Sequence, residues 1–244
     1  MLKMLHLIAN QKREVLSMTS IRDQLSSSGL FQDFPEMAKR ELEKLCRLQS
    51  VKSETAIYKI GDEPKALYGV VDGAVKLIGE APTGKLFLYE LVSPGQWFGE
   101  NSALDGAPRG QTAMVIGDTQ IVSLLRKDLL DLLHSQPDLY QYFVRVLCLR
   151  LRRAGKAIEE TAFLPVSVRM GRTLLRMHRV REKYQIKLSQ DEIAASLGVT
   201  RQSIYRVLKD WKARGWVNLN YGNVELSDSL SLTRWVQETQ AELG

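Results

Sequence analysis

The sequence predicts an α+β chain in which an antiparallel β-roll is followed by a long helix and then by a small helical domain with a β-hairpin. Three observations predict this order. Ten of the 17 glycines lie between Gly61 and Gly117, where they separate short β-rich runs. Apolar residues then recur at helical spacing after Pro137, and two short helical segments meet at Gly198.

The N-terminal part begins with one or two short helices within residues 21–50, because Ala38, Leu42 and Leu45 have helical spacing. The sequence pattern then becomes strand-like, with the β-rich runs AIYKI, YGVV, AVKLI, LFLYEL and QIVSLL. Glycine between such runs allows the positive φ angles of tight turns. Many short strands with recurrent glycine turns predict an antiparallel roll or barrel.

The long helix carries an apolar stripe that alternates four- and three-residue steps from Tyr140 to Thr161. This heptad spacing is typical of two helices that pack along their length. The stripe either packs against its own roll or forms a dimer interface, and we favour the dimer interface because charged residues surround it. The predicted interface residues are Val144, Leu147, Leu151, Ala154 and Ile158.

The segment SQDEIAASLGVTRQSIYRVLKDWKARGWV, residues 189–217, predicts two short helices joined at a glycine. Ser189 opens a capping box at the start of the first helix, and Gly198 ends that helix. Thr200 is a suitable N-cap for the second helix, which begins at Arg201. The arrangement matches a helix-turn-helix, in which the start of the second helix enters the DNA major groove.

The start of the second helix has side chains suited to DNA. Arginine forks fit guanine, an amide fits adenine and a hydroxyl fits phosphate. The following WVNLNYGNVELSD predicts a hairpin whose tip acts as a wing on the DNA backbone. The predicted DNA-contacting residues are Ser167, Ser189, Thr200, Arg201, Gln202, Ser203, Arg206, Tyr221 and Gly222. The alternative for this segment is a plain pair of helices with a charged face.

The charge distribution agrees with a polyanionic partner at one end of the chain. The net charge is +6, but residues 150–215 contain 16 Lys plus Arg against 6 Asp plus Glu, a local +10. The remainder is therefore +6 minus +10, or −4. A basic segment beside a slightly acidic one predicts nucleic-acid binding by the basic segment.

Several other classes of protein are not expected. Cys46 and Cys148 are far apart, and the three histidines have no metal or haem spacing, so we expect no metal site. No apolar run approaches the roughly 20 residues of a membrane helix, and the start has no signal cleavage site. No catalytic group of residues is apparent. We therefore expect a cytoplasmic protein that has no membrane partner and is not an enzyme.

The stretch GENSALDGAPRG, residues 99–110, places Glu100 and Arg109 in a glycine-rich turn. Arginine presents a fixed donor fork to phosphate, and glycines let backbone N–H groups approach an anion. The turn is therefore a candidate anion site. The alternative is an ion pair between Glu100 and Arg109 that only ties the turn.

These motifs together resemble the cyclic-AMP receptor and fumarate-nitrate regulator family of bacterial transcription factors, over roughly residues 21–227. The most specific pieces are FGE at 98–100, PRG at 108–110, AFLPV at 162–166 and VTRQSIYRVLK at 199–209. The resemblance implies a cyclic-nucleotide-binding-like jelly roll before the helix and a winged helix-turn-helix after it. The chain lacks the N-terminal cysteine cluster of iron–sulfur members and the roll histidine of haem members.

In the nucleotide-binding members, the residue matching Glu100 takes a ribose hydroxyl and the residue matching Arg109 pairs with the cyclic phosphate. Gly110 stands where a phosphate-contacting serine or threonine is usual. Ala154 and Gly155 stand where hydroxyl residues read adenine, while Arg150 remains as a stacking or charge partner. The predicted effector-binding residues are Gly99, Glu100, Arg109, Gly110 and Arg150.

The expected domains are an N-terminal extension at residues 1–20, an effector-sensing β-roll at 21–136, a dimerisation helix at 137–164 and a DNA-binding domain at 165–244. The favoured function is a homodimeric, sequence-specific transcription regulator controlled by a cyclic nucleotide or another phosphate-bearing ligand. Expected partners are two-fold symmetric double-stranded DNA, a second copy of the chain and, as a further candidate, RNA polymerase. Two alternatives are an effector-independent regulator of the same fold and a nucleotide-binding module that acts on a protein partner.

Overall fold

The computed structural model describes residues 21–80, 84, 86–184 and 187–242, and for residues 179–184 it describes the backbone. The predicted N-terminal extension, residues 1–20, lies outside these residues. The chain divides into two compact units. Unit 1 comprises Met1–Lys76 and Val92–Cys148, and unit 2 comprises Leu77–Leu91 and Leu149–Gly244. The domain boundaries given above stay predictions.

The N-terminal half begins with helix α1 at residues 21–27, followed by α2 (Glu36–Leu45). The strands are β1 (Arg47–Val51), β2 (Ala56–Tyr58), β3 (Ala66–Glu80), β4 (Leu86–Val92), β5 (Trp97–Phe98) and β6 (Thr112–Leu125). Short helix α3 (Glu100–Asp105) precedes β6, and α4 (Arg126–Ser135) and a 3-10 turn (Pro137–Leu139) follow it.

The six strands form one sheet in the order β1-β6-β3-β4, with β2 also paired to β6 and β5 to β3. The described pairings of β6 with β1 and β2 are antiparallel, as is the pairing of β3 with β5. The path is open, ending at β1 and β4, so the roll is confirmed and a closed barrel is not what forms.

The two runs YGVV and AVKLI belong to one long strand, β3. Gly73 between them has φ +89°, and a side chain there would collide with Thr119 of the neighbouring strand β6. The glycine therefore permits close approach of two strands and does not end the strand. This position shows why glycine spacing alone overcounts strand breaks.

The core of unit 1 joins the helices to the sheet through aromatic residues. Phe31 is fully buried, and its ring meets Phe34, Trp97 and Phe143 in edge-on contacts with centroid separations of 5.2, 4.8 and 5.9 Å. Such edge-to-face pairs are favourable beyond the apolar area that they bury. Because Phe143 lies in the first turn of the next helix, that helix start is fixed to the unit 1 core.

The long helix, α5 (Tyr140–Phe163), begins directly after the 3-10 turn. Its apolar stripe is exposed in the single chain: Leu151 is 74% and Ile158 71% exposed. Val144, Leu147 and Ala154, the other predicted interface residues, are exposed as well. Pro165 separates α5 from α6 (Val166–Tyr184), as its missing N–H and fixed φ predict.

Unit 2 continues from α6 with α7 (Gln190–Leu197), α8 (Arg201–Ala213), β7 (Val217–Asn220), β8 (Asn223–Leu226) and α9 (Ser229–Glu242). Its core contains Trp211, whose ring lies 5.7 Å from that of Trp235 in α9. A Cβ at Gly171 of α6 would lie 2.6 Å from Val236, so this glycine lets α9 pack close to α6.

Within the described residues, none of the helices has both the length and the apolar composition to span a bilayer.

Candidate functional site

The helix-turn-helix forms as its capping residues predict. Ser189 Oγ accepts from the Glu192 backbone N–H while the Glu192 carboxylate accepts from the Ser189 N–H, which completes the capping box. Gly198 ends α7 in the left-handed conformation, with φ 65°. Thr200 then caps α8 by accepting from the Ser203 N–H at 3.2 Å. These local hydrogen bonds fix where both helices begin.

The start of α8 presents polar side chains to solvent. Arg201, Gln202 and Arg206 are exposed, and Gln202 and Arg206 share one helix face because they are four residues apart. Ile204 and Leu208 lie fully buried on the opposite side, where they hold α8 in the core of unit 2. A rigid helix thus carries a charged and amide-bearing surface, which is the requirement for base readout in a groove.

The remaining predicted DNA-contacting residues lie at the starts of α6, α7 and α8 or at the hairpin tip. Ser203 shares a hydrogen bond of 3.0 Å with Thr200 through their hydroxyls. Ser167 is half-buried in the first turn of α6. Tyr221 and Gly222 form the two-residue turn between β7 and β8, and Tyr221 is fully exposed. The hairpin prediction is therefore confirmed as structure, and the contacts themselves stay predictions.

The sequence pattern did not identify one acidic neighbour of the α8 start. Asp191, in the first turn of α7, forms a salt bridge with Arg201 at 3.2 Å between Oδ2 and Nη1. The two residues are ten positions apart, and only the turn of the motif brings them together. The sequence did contain a signal for this salt bridge, because an acid stands in the first turn of one predicted helix and an arginine in the first turn of the next.

In unit 1, the glycine-rich stretch folds as α3 between two left-handed glycines, Gly99 (φ 80°) and Gly106 (φ 79°). Arg109 follows and is only 3% exposed. Its Nη1 donates to the Gly99 carbonyl at 2.8 Å, and its Nη2 donates to the Ala66 carbonyl. A Cβ at position 99 would lie 2.6 Å from Nη1, so a side chain there would displace the guanidinium.

Two tyrosines that the sequence pattern did not identify as part of the site cover Arg109. The guanidinium carbon lies 4.2 Å from the centre of the Tyr58 ring and 5.9 Å from that of Tyr68. Burial raises the pKa of Tyr58 far above its usual range; the positive charge of Arg109 lowers that pKa and the negative charge of Glu100 raises it. Burial likewise raises the pKa of Tyr68. Both hydroxyls therefore stay protonated at neutral pH.

The structure brings Gly99, Glu100 and Arg109 together, since Arg109 donates to the Gly99 carbonyl and Glu100 begins α3 directly after Gly99. Glu100 is 1% exposed. Gly110 is exposed, and a Cβ at that position would meet no described atom within 4 Å. Arg150 lies half-buried on the part of α5 that belongs to unit 2.

Arg109 forms part of the wall of a cleft of about 400 Å³ in unit 1. The other residues that line it are Ile57, Tyr58, Asp62, Glu63, Lys65 and Tyr68. The cleft thus combines aromatic rings, a buried cation and an exposed rim of both charge signs. The Nε of Arg109 is buried and has no hydrogen-bond partner among the described residues. A donor without an acceptor at such a site suits an anionic ligand.

Comparison with known proteins matches two parts of the chain to families. Residues 48–136 match the cyclic nucleotide-binding domain family, and residues 168–235 match the Crp-like helix-turn-helix domain family. The first range contains the α3 loop with Arg109, and the second contains α7, α8 and the hairpin. Both candidate surfaces therefore fall inside matched regions.

Two regulators and one solved structure give the extent of the similarity. The chain is 30% identical over 217 residues to the CRP-like cAMP-activated global transcriptional regulator of Mycobacterium tuberculosis, covering 86% of this chain and 97% of that protein. It is 31% identical over 176 residues to the cyclic AMP receptor protein of Thermus thermophilus, covering 72% and 82%. The catabolite activator protein structure of Thermus thermophilus is 27% identical with a TM-score of 0.51, covering 86% and 99%.

Proposed function

The chain belongs to the Crp-like family of transcriptional regulators, and from this premise we propose that it binds a two-fold symmetric DNA site as a homodimer, under the control of a small anionic effector. It is a DNA-binding transcriptional regulator and not an enzyme. The proposal adds the oligomeric state, the residues that contact DNA and the effector.

The observation that carries the DNA-binding role is the exposed start of α8. Arg201, Gln202 and Arg206 project from a helix whose other face is buried in the core of unit 2. In a helix-turn-helix these N-terminal positions meet base edges, while the preceding helix crosses the phosphate backbone. Ser167, Ser189, Thr200 and Ser203 supply hydroxyls near helix starts, and Tyr221 and Gly222 supply a wing tip.

The exposed stripe of α5 supports the homodimer. A row of apolar side chains at heptad spacing, open to solvent in one chain, is stabilised when a second α5 covers it. With one reading helix per chain, a two-fold dimer places two such helices on DNA. The half-sites of the operator are then expected about one helical turn apart (~34 Å).

Arg109 supports an anionic effector in the cleft of unit 1. Its guanidinium is buried, so a phosphate that reaches it is attracted in a medium that screens charge poorly. In this structure two of its nitrogens are hydrogen-bonded to the carbonyls of Gly99 and Ala66. Nη1 and Nη2 each keep a second N–H, and Nε has no partner among the described residues, so a bound phosphate can use these donors or replace one of the carbonyls.

The same contacts favour a second candidate function, an effector-independent regulator in which Arg109 only holds the loop to the sheet. The names of the relatives, a cAMP-activated regulator and a cyclic AMP receptor protein, favour regulation by an effector. Gly110, Ala154 and Gly155 lack the hydroxyls of cyclic-AMP binders, so we propose a phosphate-bearing ligand and leave its base open. RNA polymerase is a proposed partner, and the cytoplasm, which holds the DNA, is the proposed location.

Selection from random double-stranded DNA by the full chain tests the proposal. The selection is run without ligand and with cyclic AMP, cyclic GMP or a cyclic dinucleotide. We expect one palindromic site whose affinity rises with one of the ligands. A site without two-fold symmetry would contradict the homodimer, and equal affinity in every arm would favour effector-independent binding.

A further inference from the structure

The salt bridge between Asp191 and Arg201 lies at the proposed DNA surface and is not explained by stability. Its two side chains are 62% and 66% exposed, and exposed pairs contribute little to folding because water and salt screen them. Asp191 also places a negative charge in the first turn of α7, on the side where DNA phosphates are expected to pass. A carboxylate there weakens binding to any DNA. A favourable role of Asp191 must therefore act through the way in which Arg201 binds DNA.

The helix caps fix the backbone positions of both residues. Ser189 caps α7 two residues before Asp191, and Thr200 caps α8 immediately before Arg201. Arginine has five N–H donors in a planar fork. One edge of the Arg201 guanidinium can therefore stay on the Asp191 carboxylate while the other edge meets O6 and N7 of a guanine. Held in this way, the long side chain loses less freedom when it meets the base.

We propose that Asp191 is a positioning residue that sets the base specificity of Arg201. It holds the guanidinium toward the groove, and its charge weakens binding to DNA that lacks the matching guanine. The Asp191 carboxylate repels a phosphate that approaches Arg201, whereas it does not repel the uncharged edge of a guanine. The proposal rests on the proposed reading of a base by Arg201.

The test compares full-length variants by selection from random DNA and by titration of non-target DNA at several salt concentrations. Asp191→Asn keeps the shape and removes the charge. We expect its affinity for non-target DNA to rise about three- to fivefold, and its preference at the position read by Arg201 to fall about tenfold. Asp191→Glu, which retains the charge, should keep non-target affinity near that of the native chain.

Asp210→Asn is the matched control. Asp210 forms a similarly exposed ion pair with Arg214 at 3.0 Å, at the other end of α8. The same change of charge there should leave the base preference unaltered. If Asp210→Asn and Asp191→Asn shift selection equally, a general charge effect replaces the proposal.

Arg201→Ala separates the role of Asp191 from base reading by Arg201. If it erases one base preference while Asp191→Asn leaves every preference intact, the role of Asp191 is wrong and base reading by Arg201 stands. If Arg201→Ala leaves the selected site unchanged, base reading by Arg201 is wrong, and the role of Asp191 fails with it.

Discussion

The guanidinium of Arg109 lies over the ring of Tyr58, with its carbon 4.2 Å from the ring centre. The contact joins the end of strand β2 to the loop after α3, 51 positions along the chain. Backbone hydrogen bonds reinforce it, since the Arg109 N–H donates to the Asp62 carbonyl at 2.9 Å and the Gly61 N–H donates to the Arg109 carbonyl at 2.8 Å. The candidate anion site is therefore built into the sheet and not carried on a loose loop.

The first prediction concerns the pH dependence of stability. Burial raises the pKa of Tyr58 in the folded chain above the value of about 10 that tyrosine has when unfolded. The folded state then binds more protons than the unfolded state above that pH, so stability must fall as pH rises through 10. Below pH 10 the contribution of Tyr58 is fully present.

Tyr58→Phe removes this titration. Above pH 10 its free energy of unfolding should fall less steeply than that of the native chain, by at most about 1.4 kcal/mol per pH unit, the slope for one proton. Urea unfolding at pH 8, 10 and 11, followed by circular dichroism, measures the difference. Parallel curves for the two proteins across this range would mean that Tyr58 is not protected from solvent.

The second prediction concerns the structural role of Arg109. Arg109→Ala removes the donor from the buried Ala66 carbonyl and the cation from the tyrosine rings. We expect the free energy of unfolding to fall by about 1–3 kcal/mol, because a buried acceptor that loses its partner is costly. Lys52→Ala is the control, since it removes an exposed ion pair to Asp118 in the same unit and should change stability little. Equal stability of the two variants would show that these contacts of Arg109 do not stabilise the fold.

The third prediction isolates ligand binding from stability. A Cβ at Gly110 would meet no described atom within 4 Å, so Gly110→Ser should fold normally. The new hydroxyl lies next to Arg109 and offers a donor to a bound phosphate. Affinity for the effector should rise about tenfold, the effect of one hydrogen bond to a charged group.

Calorimetric titration with cyclic AMP, cyclic GMP and a cyclic dinucleotide measures this gain. Gly29→Ser is the control, because Gly29 is also exposed and open in unit 1 but lies away from this loop in sequence. A gain at neither position, with a ligand that does bind, would show that the phosphate lies elsewhere.

The parts of the fold that local interactions decide were predictable from sequence. Both ends of α7 and the start of α8 follow from Ser189, Gly198 and Thr200, whose capping hydrogen bonds span three or four residues. The candidate site was only partly predictable. Glycine spacing and two charges indicated the loop that contains Glu100 and Arg109, because these residues are close in sequence.

The contacts that complete the site depend on tertiary structure. Tyr58 and Ala66 reach Arg109 from strands that lie more than forty positions earlier, at distances set by the sheet and not by any local pattern. Gly73 looked like a strand break, yet it lies against Thr119 inside a continuous strand. A single sequence without known pairings contains no signal for such contacts.

The fourth prediction tests the dimer. Leu151 is 74% exposed on α5, so Leu151→Asp should leave the fold of one chain intact while placing a charge in the proposed interface. We expect the dimer dissociation constant to rise at least about thirtyfold, the effect of losing a central apolar contact. Leu230→Asp is the control, because Leu230 is 80% exposed on α9. Sedimentation that shows a dimer for both variants would contradict the interface on α5.

The last prediction concerns base recognition by α8. An amide matches adenine, whereas a carboxylate accepts a hydrogen bond from cytosine, so Gln202→Glu should change the preferred base at one position of each half-site. Arg206→Ala should cost about 1–3 kcal/mol of binding and relax one position. Lys209→Ala, at an exposed position one turn further along the same helix, should weaken binding to all sequences alike. Because the two chains are expected to read equivalent half-sites, each change in preference must appear twice, symmetrically about the centre of the selected site. A change on one side only would exclude two-fold reading, and unchanged selection with Gln202→Glu would mean that another face of α8 meets the bases.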